Sequence, residues 1–277
     1  MSKANSNRAV NILAVGILLV VGGIVAYVFF LQPAQQPAEK PAEQNIAAPD
    51  AGQPEVEAKK PDPPEPPSPD TLENPDDEKI RELAGALSAN EEFKRWLENE
   101  YMLGKFVAVV ENLSKGKVPR NLIIFLEPEG KFTVIAKGGV TILDTKSYSR
   151  YDHLAQAFAS IDSGKAKRLI GRLMPWLQAK YREIGRPDLD FKGALALAIA
   201  EFLKVPLITK DIPLRPDPVI YKITIEELEA MSDAQKQLLR MGPDNIRKIQ
   251  AKLKEIGRAL GMGEVVDKVQ VISYPVD

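Results

Sequence analysis

Cysteine is absent from the 277 residues, and histidine occurs once. The chain therefore holds no disulfide, thiolate nucleophile, iron–sulfur cluster or zinc–thiolate site, and one imidazole cannot build a multi-histidine metal centre. An excess of either charge is missing too: 37 basic and 38 acidic side chains give a net charge of −1. That balance hides an uneven distribution, which carries most of what the sequence says.

Residues 12–31 run without a charge. A helix of about 20 residues at 1.5 Å per residue spans the hydrocarbon core of a bilayer, so this stretch is predicted to cross a membrane once. Tyr27, Phe29 and Phe30 gather at its far end, where aromatic rings favour the headgroup level, and Lys3 and Arg8 precede it. The expected topology keeps residues 1–11 in the cytoplasm and the rest outside. A cleaved signal peptide is the competing reading, but its apolar region is usually only about 7–15 residues, and the site here, Gln32-Pro33-Ala34, is weak.

Residues 32–76 read as a disordered, proline-rich acidic stalk. Between Pro33 and Asp76 there are twelve prolines and ten acidic residues against three lysines, a net charge of −7. Too few apolar groups are present to offset the entropy of ordering such a segment, and the prolines favour an extended spacer. Residues 77–277 carry +4 and are long enough to bury a core.

That last part is predicted to be a mainly α domain with a minor β-hairpin element. Apolar residues recur at helical spacing at Ile80, Leu83, Ala84 and Leu87, at Phe93, Trp96 and Leu97, and at Phe106, Val109, Val110 and Leu113. Residues 121–126, 132–136 and 140–143 are rich in β-formers and suggest one or two small hairpins. Helical patterns return over residues 148–161, 165–184 (with a kink expected at Pro175) and 191–203. Residues 206–218 are an extended, proline-interrupted segment, and 219–223 a short strand. Thr224 with Glu227, and Ser232 with Gln235, have capping-box spacing, and a final helix is expected from Pro243 with the stripe Ile246, Ile249, Leu253, Ile256 and Leu260.

Catalytic signals are weak throughout. His153 lies at an expected helix start, where a lone histidine is more often structural than a proton shuttle. Ser114 and Lys117 match an SxxK spacing but at a helix exit, where serine and lysine do not share a turn. Asp188 and Asp190 could pair as carboxylates or bind a cation, yet Asp190 is more simply the cap of the next helix. No catalytic residue, cofactor site or metal ligand is assigned. The stronger signal is basic: Arg240, Arg247, Lys248, Lys252, Lys254 and Arg258, with Lys236, face only Asp244 and Glu255 between residues 236 and 258. Such a surface attracts polyanions, so these six residues, Arg240 to Arg258, are the candidate partner-binding set, against the plainer reading of a solvated outer face.

Three strings are distinctive together: Asn112-Leu113 through Gly116 to Val118-Pro119-Arg120, then Ser147-Tyr148-Ser149-Arg150-Tyr151-Asp152, then Lys236-Gln237-Leu238-Leu239-Arg240-Met241-Gly242-Pro243-Asp244-Asn245. Their order and spacing resemble a bacterial family of membrane-anchored proteins catalogued as domain of unknown function 3014. The resemblance covers most of residues 77 to about 260. It implies a bacterial envelope setting and no chemistry.

The expected function is that of a single-pass inner-membrane protein whose periplasmic domain acts as a scaffold or binding module for an envelope protein or an anionic envelope component. One rival is a carboxylate-based hydrolase built from Glu111, Asp152, Asp188 or Glu201, which needs a cleft joining two of them. A nucleic-acid binder is the other, and it requires the inverted topology.

Overall fold

The computed structural model describes Leu72, residues 75–217 and residues 221–275. The expected anchor at 12–31 and nearly all of the expected stalk lie outside these residues. No helix among the described residues is long and apolar enough to cross a membrane.

The domain is mainly helical with one small antiparallel sheet. Three helices open it, α1 (Asp77–Gly85), α2 (Glu91–Trp96) and α3 (Met102–Ser114). Asp76 and Asn90 cap the first two through their side chains. Tyr101 precedes α3 in a left-handed conformation that its own side chain cannot cap. Asp77 does so from α1, its carboxylate accepting from the Tyr101 and Met102 backbone N–H groups at 2.6 and 3.0 Å.

A hairpin follows, β1 (Val134–Lys137) and β2 (Val140–Leu143), then two short helices, α4 (Lys146–Ser149) and α5 (Asp152–Ala159). The long α6 (Ser163–Ile184) runs without interruption through Pro175, and α7 (Phe191–Leu203) begins at the cap expected of it, Asp190, which accepts from the Gly193 N–H. Strands β3 (Pro213–Pro216) and β4 (Tyr221–Ile223) add to the hairpin, so the order is β1-β2-β3-β4 with Ile142 opposite Pro213 and Leu214 opposite Ile223. Both prolines of β3 sit at its ends, where a missing N–H costs the ladder least. The chain closes with α8 (Glu226–Glu229), α9 (Asp233–Leu239), α10 (Pro243–Ala259) and α11 (Gly263–Lys268).

Helix α7 is largely apolar, with nine of its thirteen residues buried, and is the axis of the core. It packs most extensively on α3, and Phe191 at its start meets the rings of Phe106 and Tyr181 edge-on at 5.4 and 6.0 Å. The stripe on α10 buries Ile246, Ile249, Leu253 and Ile256 against α5, α6 and α7. The core also reaches back beyond the expected boundary at residue 77. Leu72 is buried, and its carbonyl accepts from the Trp176 indole at 2.9 Å.

Two local expectations change. Residues 120–126 form two short 3-10 turns, Arg120–Leu122 and Ile124–Leu126, instead of a strand. Burial of Ile123 and Leu126 follows the three-residue period of that geometry. The Ser232–Gln235 capping box forms, whereas Thr224 does not cap α8: its N–H continues the sheet by donating to the Pro213 carbonyl, and Ile225 takes the cap position.

Candidate functional site

The three distinctive strings, far apart in sequence, meet at the junction of α9 and α10. The box on Ser232 fixes the start of α9, and the turn Met241-Gly242-Pro243 sets the angle to α10. Gly242 has φ 83°, and a Cβ there would lie 2.3 Å from the Tyr148 ring, so the backbone and that aromatic face are in direct contact. One turn on, the buried Asn245 amide donates to the carbonyls of Tyr148 and Met241 and to the Asp152 carboxylate. Gln237 on α9 donates to the hydroxyl of the buried Tyr151 at 3.3 Å. These contacts lock the α4–α5 corner to the α9–α10 turn.

The first string comes in from the other side. The Ala234 N–H donates to the Gly116 carbonyl at 3.0 Å, which lays the loop after α3 along the start of α9. Arg120 is thereby brought close to Arg240, and both side chains are half-buried. Burial pushes the Arg120 guanidinium below its usual value; Asp233 opposes this and the charge of Arg240 adds to it. Burial lowers Arg240 as well, against the nearby Tyr151, Glu229 and Asp233. Arg240 makes no side-chain hydrogen bond and no ion pair with any described residue.

The other candidate basic residues fare differently. Arg247 pairs with Asp244 at 2.6 Å, and Arg258 grips both oxygens of Asp267 on α11. Lys252 is structural in its contacts: its side chain is only 12% exposed, and its ammonium donates to the Ile161 carbonyl and to Glu255. Lys248 and Lys254 are exposed and have no ion pair with a described residue. The six residues thus do not form one continuous unpaired stripe. Arg120, which ends the first distinctive string but was not in the candidate set, lies within range of the Arg240 charge.

The four carboxylates of the hydrolase reading each have their own surroundings. Glu111 is buried, accepting from the Tyr181 hydroxyl at 2.8 Å and pairing with Lys115. Asp152 serves Asn245, Glu201 pairs with Lys204 at 3.2 Å, and Asp188 is exposed. The groove between α3 and the end of α6, lined by Tyr101, Leu103, Val107 and Ile184, reaches none of the four. His153 is half-buried on the first turn of α5. Among the described residues no three histidine, aspartate or glutamate side chains converge to hold a metal ion.

A family described as "Protein of unknown function (DUF3014)" matches residues 102–257. The chain belongs to that family. The DUF3014 segment begins with the first residue of α3 and ends in the last turn of α10, so it contains every group at the junction, Arg120, Tyr148, Tyr151, Arg240 and Asn245 among them. Helices α1, α2 and α11 lie outside it. No curated protein and no solved structure matches the chain.

Proposed function

We propose that the protein is a binding module: a bacterial inner-membrane protein held by residues 12–31, spaced from the bilayer by residues 32–76, and engaging an acidic envelope partner through the α9–α10 end of its periplasmic domain. The observation that carries this reading is exposed positive charge without an ion-pair partner on α10, beside the rigid α9–α10 turn. Lys248, in the second turn of α10, and Lys254 are exposed without an ion pair to a described residue. The contacts of Gly242 and Asn245 fix both residues relative to the rest of the domain. A preformed charged surface of this kind steers a complementary partner and loses its pull as salt screens it over about 8 Å at physiological ionic strength.

Site-specific photocrosslinking in intact membranes tests the proposal. A photoreactive residue at position 248 should yield a defined crosslinked species that fades with rising salt and is absent when the probe replaces the exposed Arg182 on α6. The same species from both positions, or none from 248, contradicts the reading. Protease accessibility in spheroplasts tests the topology: the domain should be digested without lysis of the membrane.

A further inference from the structure

Helix α6 carries six basic side chains, Lys165, Lys167, Arg168, Arg172, Lys180 and Arg182, against one acid, Glu183, which pairs with Lys180 at 3.2 Å. Helical spacing puts Lys167, Arg168, Gly171, Pro175, Ala179 and Arg182 on one outer face, and all six are exposed. None of the three cations on that face has an ion pair with a described residue. Asp162 at the helix start faces Arg168 and offsets only part of the excess. The chain enters the domain beside this face. The Leu72 N–H donates to the Arg172 carbonyl at 3.5 Å, and the Leu72 carbonyl accepts from the Trp176 indole at 2.9 Å. Asp77, five positions on, lines the groove at the other end of α6 with Lys180, Glu183 and Ile184. Followed backwards from Asp77 to Leu72, the chain climbs α6 from its last turn to its middle, so the residues ahead of Leu72 are aimed at Arg168 and Lys167.

We propose that the outer face of α6, toward its start, is the docking surface for residues 61–71 of the same chain, with Asp70 set against Arg168. This segment holds six prolines, the acids Asp62, Glu65 and Asp70, and no basic residue. Two extended residues cover about 6 Å, as do four residues of α-helix, so from Leu72 beside Arg172 the Asp70 carboxylate comes level with Arg168. Lys167 is the next cation on the face. Between them and the entry point the surface is clear, since a Cβ on Gly171 would meet nothing within 4 Å. An extended proline-rich segment has no internal hydrogen bonds to give up and little freedom to lose on docking. Covalent attachment holds it near α6 at an effective concentration in the millimolar range, so individually weak exposed pairs suffice. The inference lies beyond the binding-module reading at α10 and does not rest on it: the last part of the expected stalk is a ligand of its own domain, and it covers α6 against other polyanions.

The test uses the full chain in detergent micelles, where the absence of cysteine lets two introduced cysteines carry the only spin labels. Labels on Ser68→Cys and Gly171→Cys should give a narrow distribution of short distances by pulsed electron paramagnetic resonance. It should broaden in about 1 M salt, where charges are screened over about 3 Å. Lys167→Glu with Arg168→Glu should broaden it at low salt, and adding Glu65→Lys and Asp70→Lys should narrow it again. Carbodiimide coupling of the unaltered protein, read by peptide mass spectrometry, gives an answer that survives any misfolding of the variants. Lys167 should be joined to Asp70 or Glu65 within one chain, about tenfold more often than Lys254 is. A distribution that neither salt nor charge reversal changes, or coupling spread evenly over Lys167 and Lys254, overturns the docking. Coupling of Lys167 to these acids only between chains overturns it too and assigns the face to a second copy. None of these results touches the crosslink from position 248, so loss of the docked segment and loss of the binding-module reading are separately visible.

Discussion

Asn245 on α10 and Asp152 at the start of α5 are joined by a 2.9 Å hydrogen bond from the amide Nδ2 to the carboxylate Oδ1. The same nitrogen also meets the Tyr148 and Met241 carbonyls at 3.1 and 3.0 Å, three acceptors for two protons, while the amide Oδ1 is buried without a partner among the described residues. Three acceptors around one atom fix which end of the amide is nitrogen. The site is built for a donor and tolerates no acceptor.

Replacing Asn245 separates these roles. Asn245→Ala should cost about 1–3 kcal/mol, the usual penalty for leaving buried acceptors without their donor. Asn245→Asp should cost more although it is nearly isosteric, because a second carboxylate then faces Asp152 and two carbonyl oxygens. Urea unfolding at neutral pH decides it; equal stability of the two variants contradicts the assignment.

Gly242 and Gly261 both have positive φ, 83° and 75°, but only the first lies against a ring, since the nearest atom to a Cβ on Gly261 is Lys192 Nζ at 4.0 Å. Gly261→Ala should cost about 1–2 kcal/mol from backbone conformation alone. Gly242→Ala should cost clearly more, and Tyr148→Ala in the same chain should recover part of the excess. A double-mutant cycle without coupling would show that the ring contact is unimportant.

Acid stability reports on the cap of α6. The Asp162 carboxylate is held below the usual carboxylate range, first by the Lys165 backbone N–H and then by the charges of Lys165 and Arg168. A depressed folded pKa means that the cap's contribution is complete above the unfolded value of about 3.9 and is lost as pH falls through the folded value. Asp162→Asn retains a capping oxygen without the charge, so its stability should fall less steeply than that of the unaltered protein below about pH 4. Parallel acid titrations of thermal unfolding provide the comparison, and identical slopes would remove Asp162 from the account.

Leu72 packs into the core ahead of residue 77. A chain beginning at Asp77 lacks the Leu72 side chain, the Trp176 bond to its carbonyl and the Asp76 cap on α1. It should be about 2–4 kcal/mol less stable than one beginning at Pro69 while still unfolding cooperatively. Matching denaturation midpoints would place the boundary at residue 77 after all.

Features that depend on a few neighbouring residues were readable in the sequence. The start of α7 at Phe191, the Asp190 cap, the Ser232–Gln235 box and the Pro243 start of α10 all follow from side chains within one turn of each other. Misread elements turned on distant partners. Ile123 and Leu126 look like strand residues until their three-residue spacing meets the core, and Thr224 looks like a cap until β3 claims its N–H. The same limit applies to the site. Counting charges along residues 236–258 could not register Asp267, which pairs with Arg258 from the next helix, or the turn of α10 that hides Lys252 against Ile161. Nor could it see that Arg120 stands beside Arg240. Membrane attachment is a separate matter, because residues 12–31 lie outside the described part of the chain.

The bond between Leu72 and Trp176 also has a mechanical meaning. A load applied to the chain ahead of Leu72 enters the domain at that carbonyl and passes to the middle of α6, since Trp176 lies just past the midpoint of the helix running from Ser163 to Ile184. Helix α6 in turn packs on α3, α7 and α10. Traction from a tether would therefore be shared among the central helices at once, instead of peeling the fold from its first helix, and the junction carrying Arg120 and Arg240 would keep its shape under strain.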